Sequence, residues 1–339
     1  MPEKPIIICT RGSALALAQA NNVFAQCRAA FPRLQFELKI IKTTGDKRLT
    51  ASLANPGADL PKGLFTKELE VALLKHRADL AVHSLKDLPT DLPAGLTLGA
   101  VGKRADVRDV LIYRDAEFLA RQAETKSDDW SPGQSALTGL KPKIKIKDLP
   151  KGAVIATSST RRQAQLKELR PDFKFTELRG NIITRMEKLA SKGDIDATIL
   201  AAAGLGRLNF IITTDGKLVG DAVPDGLNAT VLDTDAMLPC VGQAAVGIEI
   251  RAADERIEAI CARLNHAHTQ QCVTAERAFL AAMGGGCASP VGAHAEVVGD
   301  KIQMRVVSFV GGTCRRAEGK RPVKEAKELG EELAARLKC

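Results

Sequence analysis

A chain of 339 residues allows about two domains, at most three, and a core that needs no disulfide staples. Hydrophobic residues at 45% and charged residues at 26% are ordinary globular composition, which excludes collagen, a coiled coil and a disordered tail, and no apolar run reaches the roughly eighteen residues of a membrane span. The net charge of +9 favours anionic partners, while aromatics at 4%, with one Tyr and one Trp, leave little with which to stack nucleic-acid bases.

Residues 6–9 are a short apolar run ended by Thr10, Arg11, Gly12 and Ser13, after which Leu17, Ala20, Phe24, Cys27 and Phe31 recur every three or four positions. That pattern predicts a strand, a tight turn and an amphipathic helix capped near Ser13. A second strand is predicted over 36–41, a helix over 66–76 with Leu69, Leu73 and Leu74 on one face, and a third strand over 79–83. Strands alternating with helices imply a parallel sheet covered on both faces. Residues 115–149 are polar, with Ser, Gly, Pro and Lys crowded into 127–147, and read as a surface excursion. The strand and helix grammar then returns: strand 153–156, polar turn 157–162, helix 163–169, strand 173–178 and buried strand 196–200. Beyond Asn209 comes a polar Gly-rich stretch, then a strand over 246–251, helices over 254–264 and 274–282, sheet-like alternation over 294–310 and a closing helix over 323–339.

Two α/β domains of like plan followed by a smaller α+β domain account for this order. In such sheets ligands bind at the carboxyl ends of strands, beside helix N-termini. Arg11, Arg161, Arg162, Arg179, Arg185 and Arg207 all fall after predicted strands or in the first turns of following helices. A guanidinium grips a carboxylate bidentately and stays charged, so this set suits a ligand with several carboxylates or phosphates. Thr157, Ser158, Ser159 and Thr160 add more hydroxyls than one helix cap needs. Lys86 and Asp87 follow directly on the strand at 79–83, where a carboxylate can act as a general acid or base or stabilise a developing cation; an ion pair within a loop is the plainer reading. His83 reads as a hydrogen-bonded loop histidine. The eight cysteines show neither CxxC nor Cys/His ligand spacing, so no metal site is expected; most read as buried small apolar residues. Cys287, in the run Gly284-Gly285-Gly286-Cys287, differs, because a thiol on a permissive loop suits covalent attachment or nucleophilic attack; a flexible turn that happens to contain Cys is the plainer reading. The first residues show no secretory or transit pattern, so a cytoplasmic location is expected.

With these segments assembled, the sequence resembles the porphobilinogen deaminase (hydroxymethylbilane synthase) family. The carriers are TRGSALALAQA (10–20), KGLFTKELE (62–70), AVHSLKDLPT (81–90), TSSTRR (157–162), LRGNIITR (178–185), AAAGLGRL (201–208), VGQAAVGIE (241–249) and GGGCASPVGAHA (284–295). The resemblance implies two doubly wound α/β domains resembling type II periplasmic binding proteins, over 1–106 with 245–262 and over 112–238, and a small α+β domain over 267–339. It implies a transferase of tetrapyrrole and heme biosynthesis that joins four porphobilinogens head to tail, releasing ammonia each time, to give the linear hydroxymethylbilane. It further implies a dipyrromethane cofactor held by a thioether to Cys287, with each pyrrole bringing an acetate and a propionate.

By the same resemblance Asp87 is the central catalytic group, with Lys86, Arg11 and Gln243 among the catalytic set. Lys86, Asp87, Thr157, Ser158, Ser159, Arg161, Arg162 and Arg185 would hold the cofactor. Arg11, Ser13, Arg179, Gly180, Asn181, Arg185 and Arg207 would hold substrate or the growing chain, and Lys62 and Phe65 would belong to a mobile loop over the cleft. A monomer acting on a small molecule, without nucleic acid or membrane, is expected. The chain departs from the family pattern at Ala244, where a glycine is usual, in the long loop 46–62, at Val107 in place of proline, and in the insertion carrying Trp130. The competing class is a non-enzymatic anion-binding module, which has no use for Cys287; nucleic-acid binding, suggested by the net charge alone, comes third.

Overall fold

The computed structural model describes residues 4–45, 65–125, 137–286 and 289–338. The chain divides into two compact units, the first made of residues 1–105, 240–308 and 315–339 and the second of 106–239 and 309–314. Along the chain, the first unit opens with β1 (Ile6–Thr10), α1 (Ala14–Ala30), β2 (Phe36–Ile40), α2 (Lys67–Leu74), β3 (Leu80–Ser84) and β4 (Leu96–Val101). The second holds β5 (Asp109–Arg114), α3 (Ala116–Thr125), β6 (Val154–Ala156), α4 (Thr160–Leu169), β7 (Lys174–Thr176) and α5 (Ile182–Ser191). It continues with β8 (Ala197–Ala201), α6 (Ala202–Arg207), the short hairpin β9 (Ile211–Ile212) and β10 (Leu218–Val219), and β11 (Leu227–Leu232). The first unit resumes with β12 (Val246–Arg251), α7 (Glu255–Leu264), α8 (Ala267–Ala282), β13 (Val291–Val298), β14 (Lys301–Ser308), β15 (Arg315–Pro322) and α9 (Ala326–Lys338).

The two large sheets have the same plan, ordered β2-β1-β3-β12-β4 in one unit and β7-β6-β8-β5-β11 in the other. In each, three neighbouring strands run parallel and the fourth, β12 or β5, runs antiparallel to both its neighbours. The wholly parallel sheet expected from strand and helix alternation is therefore corrected to a mixed one. An apolar run buried on both faces carries no sign of its direction, so β5 and β12 could not be oriented from composition.

Helix α1 forms as its spacing predicts, with Ala16, Ala20, Val23 and Cys27 buried and the Ser13 hydroxyl accepting from the Ala16 N–H at 3.3 Å. Its apolar face packs with Ile6, Ile8, Leu80, Val82 and Ile250 of the sheet. The opposite face of that sheet is covered by α2 through Leu69 and Leu73. In the second unit one face packs with Met186 and Leu189 of α5 and the other with Leu166 of α4. The antiparallel sheet β13-β14-β15 buries Ala293, Ala295, Ile302, Met304 and Val306 against Phe279 of α8 and Leu329 and Leu333 of α9. This layered arrangement, two α/β sheets and a small α+β part, is the fold class expected.

Candidate active site

Because β1 and β3 are parallel, their carboxyl ends fall on one edge of the sheet, and the residues that follow each strand meet there. A cavity of about 60 Å³ at this edge is lined by Arg11, Ser13, Gln19, Phe65, Ser84 and Asp87, among others. The Arg11 guanidinium carbon sits 4.3 Å from the centroid of the Phe65 ring, so the ring face steadies a cation whose outer edge can meet a carboxylate. Lys62, expected beside Phe65 in a mobile loop, lies outside the described residues.

Asp87 ends a single 3-10 turn, Leu85–Asp87, that follows β3, with Lys86 half-buried next to it. No hydrogen bond or ion pair holds the Asp87 carboxylate among the described residues. Beside it the Gln19 amide donates to the Ser84 hydroxyl at 2.9 Å and lies 3.2 Å from it through its oxygen, which fixes the wall of the cavity. His83 belongs to β3 rather than to a loop, and its Nε2 is 3.0 Å from a carboxylate oxygen of the fully buried Glu249 on β12. The hydrogen bond expected of His83 is present, although in a strand. Gln19 was missed by sequence reasoning, yet it carried a signal: a polar side chain on the apolar face of α1, only 3% exposed.

Gln243 lies in the turn after the chain re-enters the first unit, and its side chain is buried. That turn is clamped from below: the Arg104 guanidinium donates through Nε to the Gln243 carbonyl at 2.9 Å and bidentately to Glu276 at 2.6 and 2.9 Å. Glu276 also accepts from the N–H groups of Gly242 at 2.8 Å and Ala295 at 2.9 Å. Burial disfavours the Arg104 cation, but the Glu276 charge more than offsets this and holds it above its ordinary range. Ala244 adopts a left-handed conformation, with φ of +70°, which a glycine would take without strain. An L side chain there is strained by about 1 kcal/mol. Ala244→Gly is therefore expected to raise stability by about that amount, read as an increase in the denaturant midpoint at unchanged slope; a lower midpoint would contradict it.

The second unit carries the remaining predicted residues around three strand ends. Ser159 and Asn181 serve as N-caps, the Ser159 hydroxyl accepting from Arg162 N–H at 3.4 Å and the Asn181 side chain from Thr184 N–H at 2.8 Å. Thr157 is buried and its hydroxyl accepts from Ser159 N–H, while exposed Ser158 lies 3.4 Å from the Leu178 carbonyl through its hydroxyl. Arg179 pairs with exposed Glu177 at 2.9 Å, and Arg185 donates to the Gly180 carbonyl at 2.9 Å.

Arg161 and Arg162, expected at an open anion site, are instead 4% and 6% exposed. Their outer nitrogens are committed to Asp109, at 2.9 and 2.8 Å, and to the carbonyls of Leu238 and Ile199. The Nε of each has no hydrogen-bond partner. Two guanidinium groups on one carboxylate leave a buried surplus of positive charge, which sequence reasoning could not see because Asp109 merely opens an apolar strand. Arg207 falls at the last turn of α6 rather than in a first turn, since that helix is six residues long, and burial holds its guanidinium below the ordinary range.

Among the described residues no group of three or more His, Cys, Asp or Glu is placed to hold a metal ion, and no helix is long and apolar enough to cross a membrane. Cys9, Cys27, Cys261 and Cys272 are free and buried, and burial pushes their thiols up to about 12, 11, 12 and 11. At neutral pH these four are poor nucleophiles. Cys287 lies outside the described residues, between Gly286 and Ser289.

Residues 6–259 match the family model described as "Porphobilinogen deaminase, dipyromethane cofactor binding domain", and residues 270–339 the model "Porphobilinogen deaminase, C-terminal domain". The chain is 39% identical over 339 residues to the porphobilinogen deaminase of Syntrophobacter fumaroxidans, covering 99% of this chain and 95% of that one. It is 40% identical over 334 residues to that of Desulforamulus reducens, covering 98% and 94%. With the namesake from Chlorobium luteolum it shares 41% over 311 residues, covering 92% and 84%.

Proposed function

The chain belongs to the porphobilinogen deaminase family, and on that premise we propose that it is a hydroxymethylbilane synthase in which Asp87 carries the chemistry and Cys287 the covalent cofactor. The observation that carries this reading is the Asp87 carboxylate lining the cavity that Arg11 also lines, unengaged by any other described residue. When ammonia leaves porphobilinogen, positive charge develops on the methylene carbon and the pyrrole nitrogen. A fixed carboxylate in a partly dry cavity stabilises that charge more than water does. Arg11 binds an acetate or propionate of the incoming pyrrole and orients its methylene carbon, and Gln19 and Ser84 hold the wall against which it lies.

The second unit suits a polycarboxylate group such as dipyrromethane: the buried surplus of positive charge that Arg161 and Arg162 leave around Asp109 favours an anion nearby. Bound dipyrromethane supplies a terminal pyrrole carbon on which the chain grows. Arg179 and Arg185 keep solvent-facing edges suited to additional carboxylates.

The test is the intact-protein mass under denaturing conditions, followed by peptide mapping. An excess of two linked pyrrole units on the peptide containing Cys287 is expected, appearing on incubation with porphobilinogen if the protein starts unloaded. Cys287→Ser is expected to show no excess before or after incubation. Unaltered protein that gains no adduct and releases no ammonia from porphobilinogen would refute the reading.

A further inference from the structure

Asp87 sits on a single 3-10 turn, a geometry whose internal hydrogen bonds are too poor to fix a side chain unaided. Its position is set by what holds the chain on either side. Upstream, Leu85 N–H donates to the Ala245 carbonyl at 3.0 Å, and the Leu85 side chain packs with Leu88, Val101, Ala245 and Val273. Downstream runs Leu88-Pro89-Thr90, where Pro89 has no N–H to anchor. The carbonyls of all three residues instead converge on one guanidinium. Arg277 Nη1 donates to Leu88 O at 3.1 Å, and Nη2 donates to Pro89 O at 2.6 Å and Thr90 O at 3.2 Å.

Arg277 projects from the middle of α8, the helix that ends at Ala282, shortly before the glycine run and Cys287. Its neighbour Glu276 is the carboxylate that clamps the Gln243 turn. Helix α8 is itself locked between α9 and β13. One element, α8, thus ties down both the segment following Asp87 and the Gln243 turn. We propose that Arg277 is a positioning residue for Asp87, fixing the backbone that leaves its 3-10 turn. It acts through the backbone of Leu88, Pro89 and Thr90 and touches no reacting atom. The planar fork matters, because a lysine ammonium is a point charge that cannot satisfy three diverging carbonyls in a fixed plane.

The inference rests on the catalytic role given to Asp87, and the experiment separates the two. Arg277→Lys and Arg277→Met proteins are compared with the unaltered protein for covalent load by intact mass, and for kcat and KM with porphobilinogen. A displaced carboxylate lowers kcat while leaving ground-state binding intact, so Arg277→Met should lose about 10- to 100-fold in kcat with KM little changed. The Lys variant should fall between it and the unaltered protein, and both should carry the pyrrole adduct. Unchanged kcat in the Met variant, or a rise in KM that accounts for the whole loss in kcat/KM, overturns the inference. If the Met variant does not fold, the Lys variant decides: a folded, loaded protein with full kcat overturns it, and reduced kcat at unchanged KM supports it. Full activity in Asp87→Ala would instead refute the role of Asp87 itself, whatever Arg277 does.

Discussion

Replacing Asp87 with alanine is expected to slow ammonia release from porphobilinogen by at least about 10²- to 10³-fold, the usual cost of removing a preorganised charge stabiliser. The fold should be untouched, because no described donor relies on this carboxylate and none is left orphaned when it goes. The thermal midpoint should stay within the narrow range of an ordinary surface substitution. Asp87→Asn keeps the shape and removes the charge, so it isolates the electrostatic contribution, and its rate should lie close to that of the alanine variant. Ammonia release and thermal melting measured on the same preparations check the prediction. Near-full turnover in either variant would place the chemistry elsewhere, whereas a collapse in melting temperature would show Asp87 to be structural.

The parts of this molecule that were legible in its sequence are those with a local period. The apolar stripe of α1, the run of β12 and the polar turns after β1, β3 and β6 mark themselves within a few residues, and the structure has each of them. Strand β15, RRAEGKRP, was not legible, because its inner face is contributed by Ala317 and Gly319 while its outer face is charged. It carries no strand pattern of its own, and pairs with β14 along its whole length only because that strand and α9 are already there.

At the site, Asp87 and Arg11 were legible from where they stand after strands. Asp109 and Arg277 were not, since each is defined by partners 53 or nearly 190 residues away and neither leaves a periodic trace. The same holds for Arg161 and Arg162. Their position at a helix start announces an anion site, and only the tertiary structure reveals that the anion already present is the chain's own Asp109.

That carboxylate carries the largest stability effect expected in the second unit. Asp109 is wholly buried at the start of β5, with one oxygen 2.8 Å from Arg162 and the other 2.9 Å from Arg161. Asp109→Ala leaves two guanidinium groups in the interior without a counter-charge, a change that costs about 3 to 5 kcal/mol when a buried pair is broken. For a body of this size the melting temperature should fall by roughly 6–20 °C. Because the chain divides into two compact units, the loss should be local: amide exchange should quicken in β5, β6 and β8 and stay nearly unchanged in β1 and β3.

The effect comes from uncompensated charge rather than from a missing contact, so it should be reversible by removing the charge. Replacing Asp109, Arg161 and Arg162 together with apolar residues of similar volume should recover much of the lost stability, since buried ion clusters are often no better than well-packed hydrophobic ones. Such a protein should melt well yet bind polycarboxylates poorly, because the surplus positive charge that an anion would neutralise is gone. If instead the triple variant is as unstable as Asp109→Ala, the cluster is held by shape. If Asp109→Ala melts like the unaltered protein, water already compensates the two arginines and the buried surplus of charge is no part of the anion site.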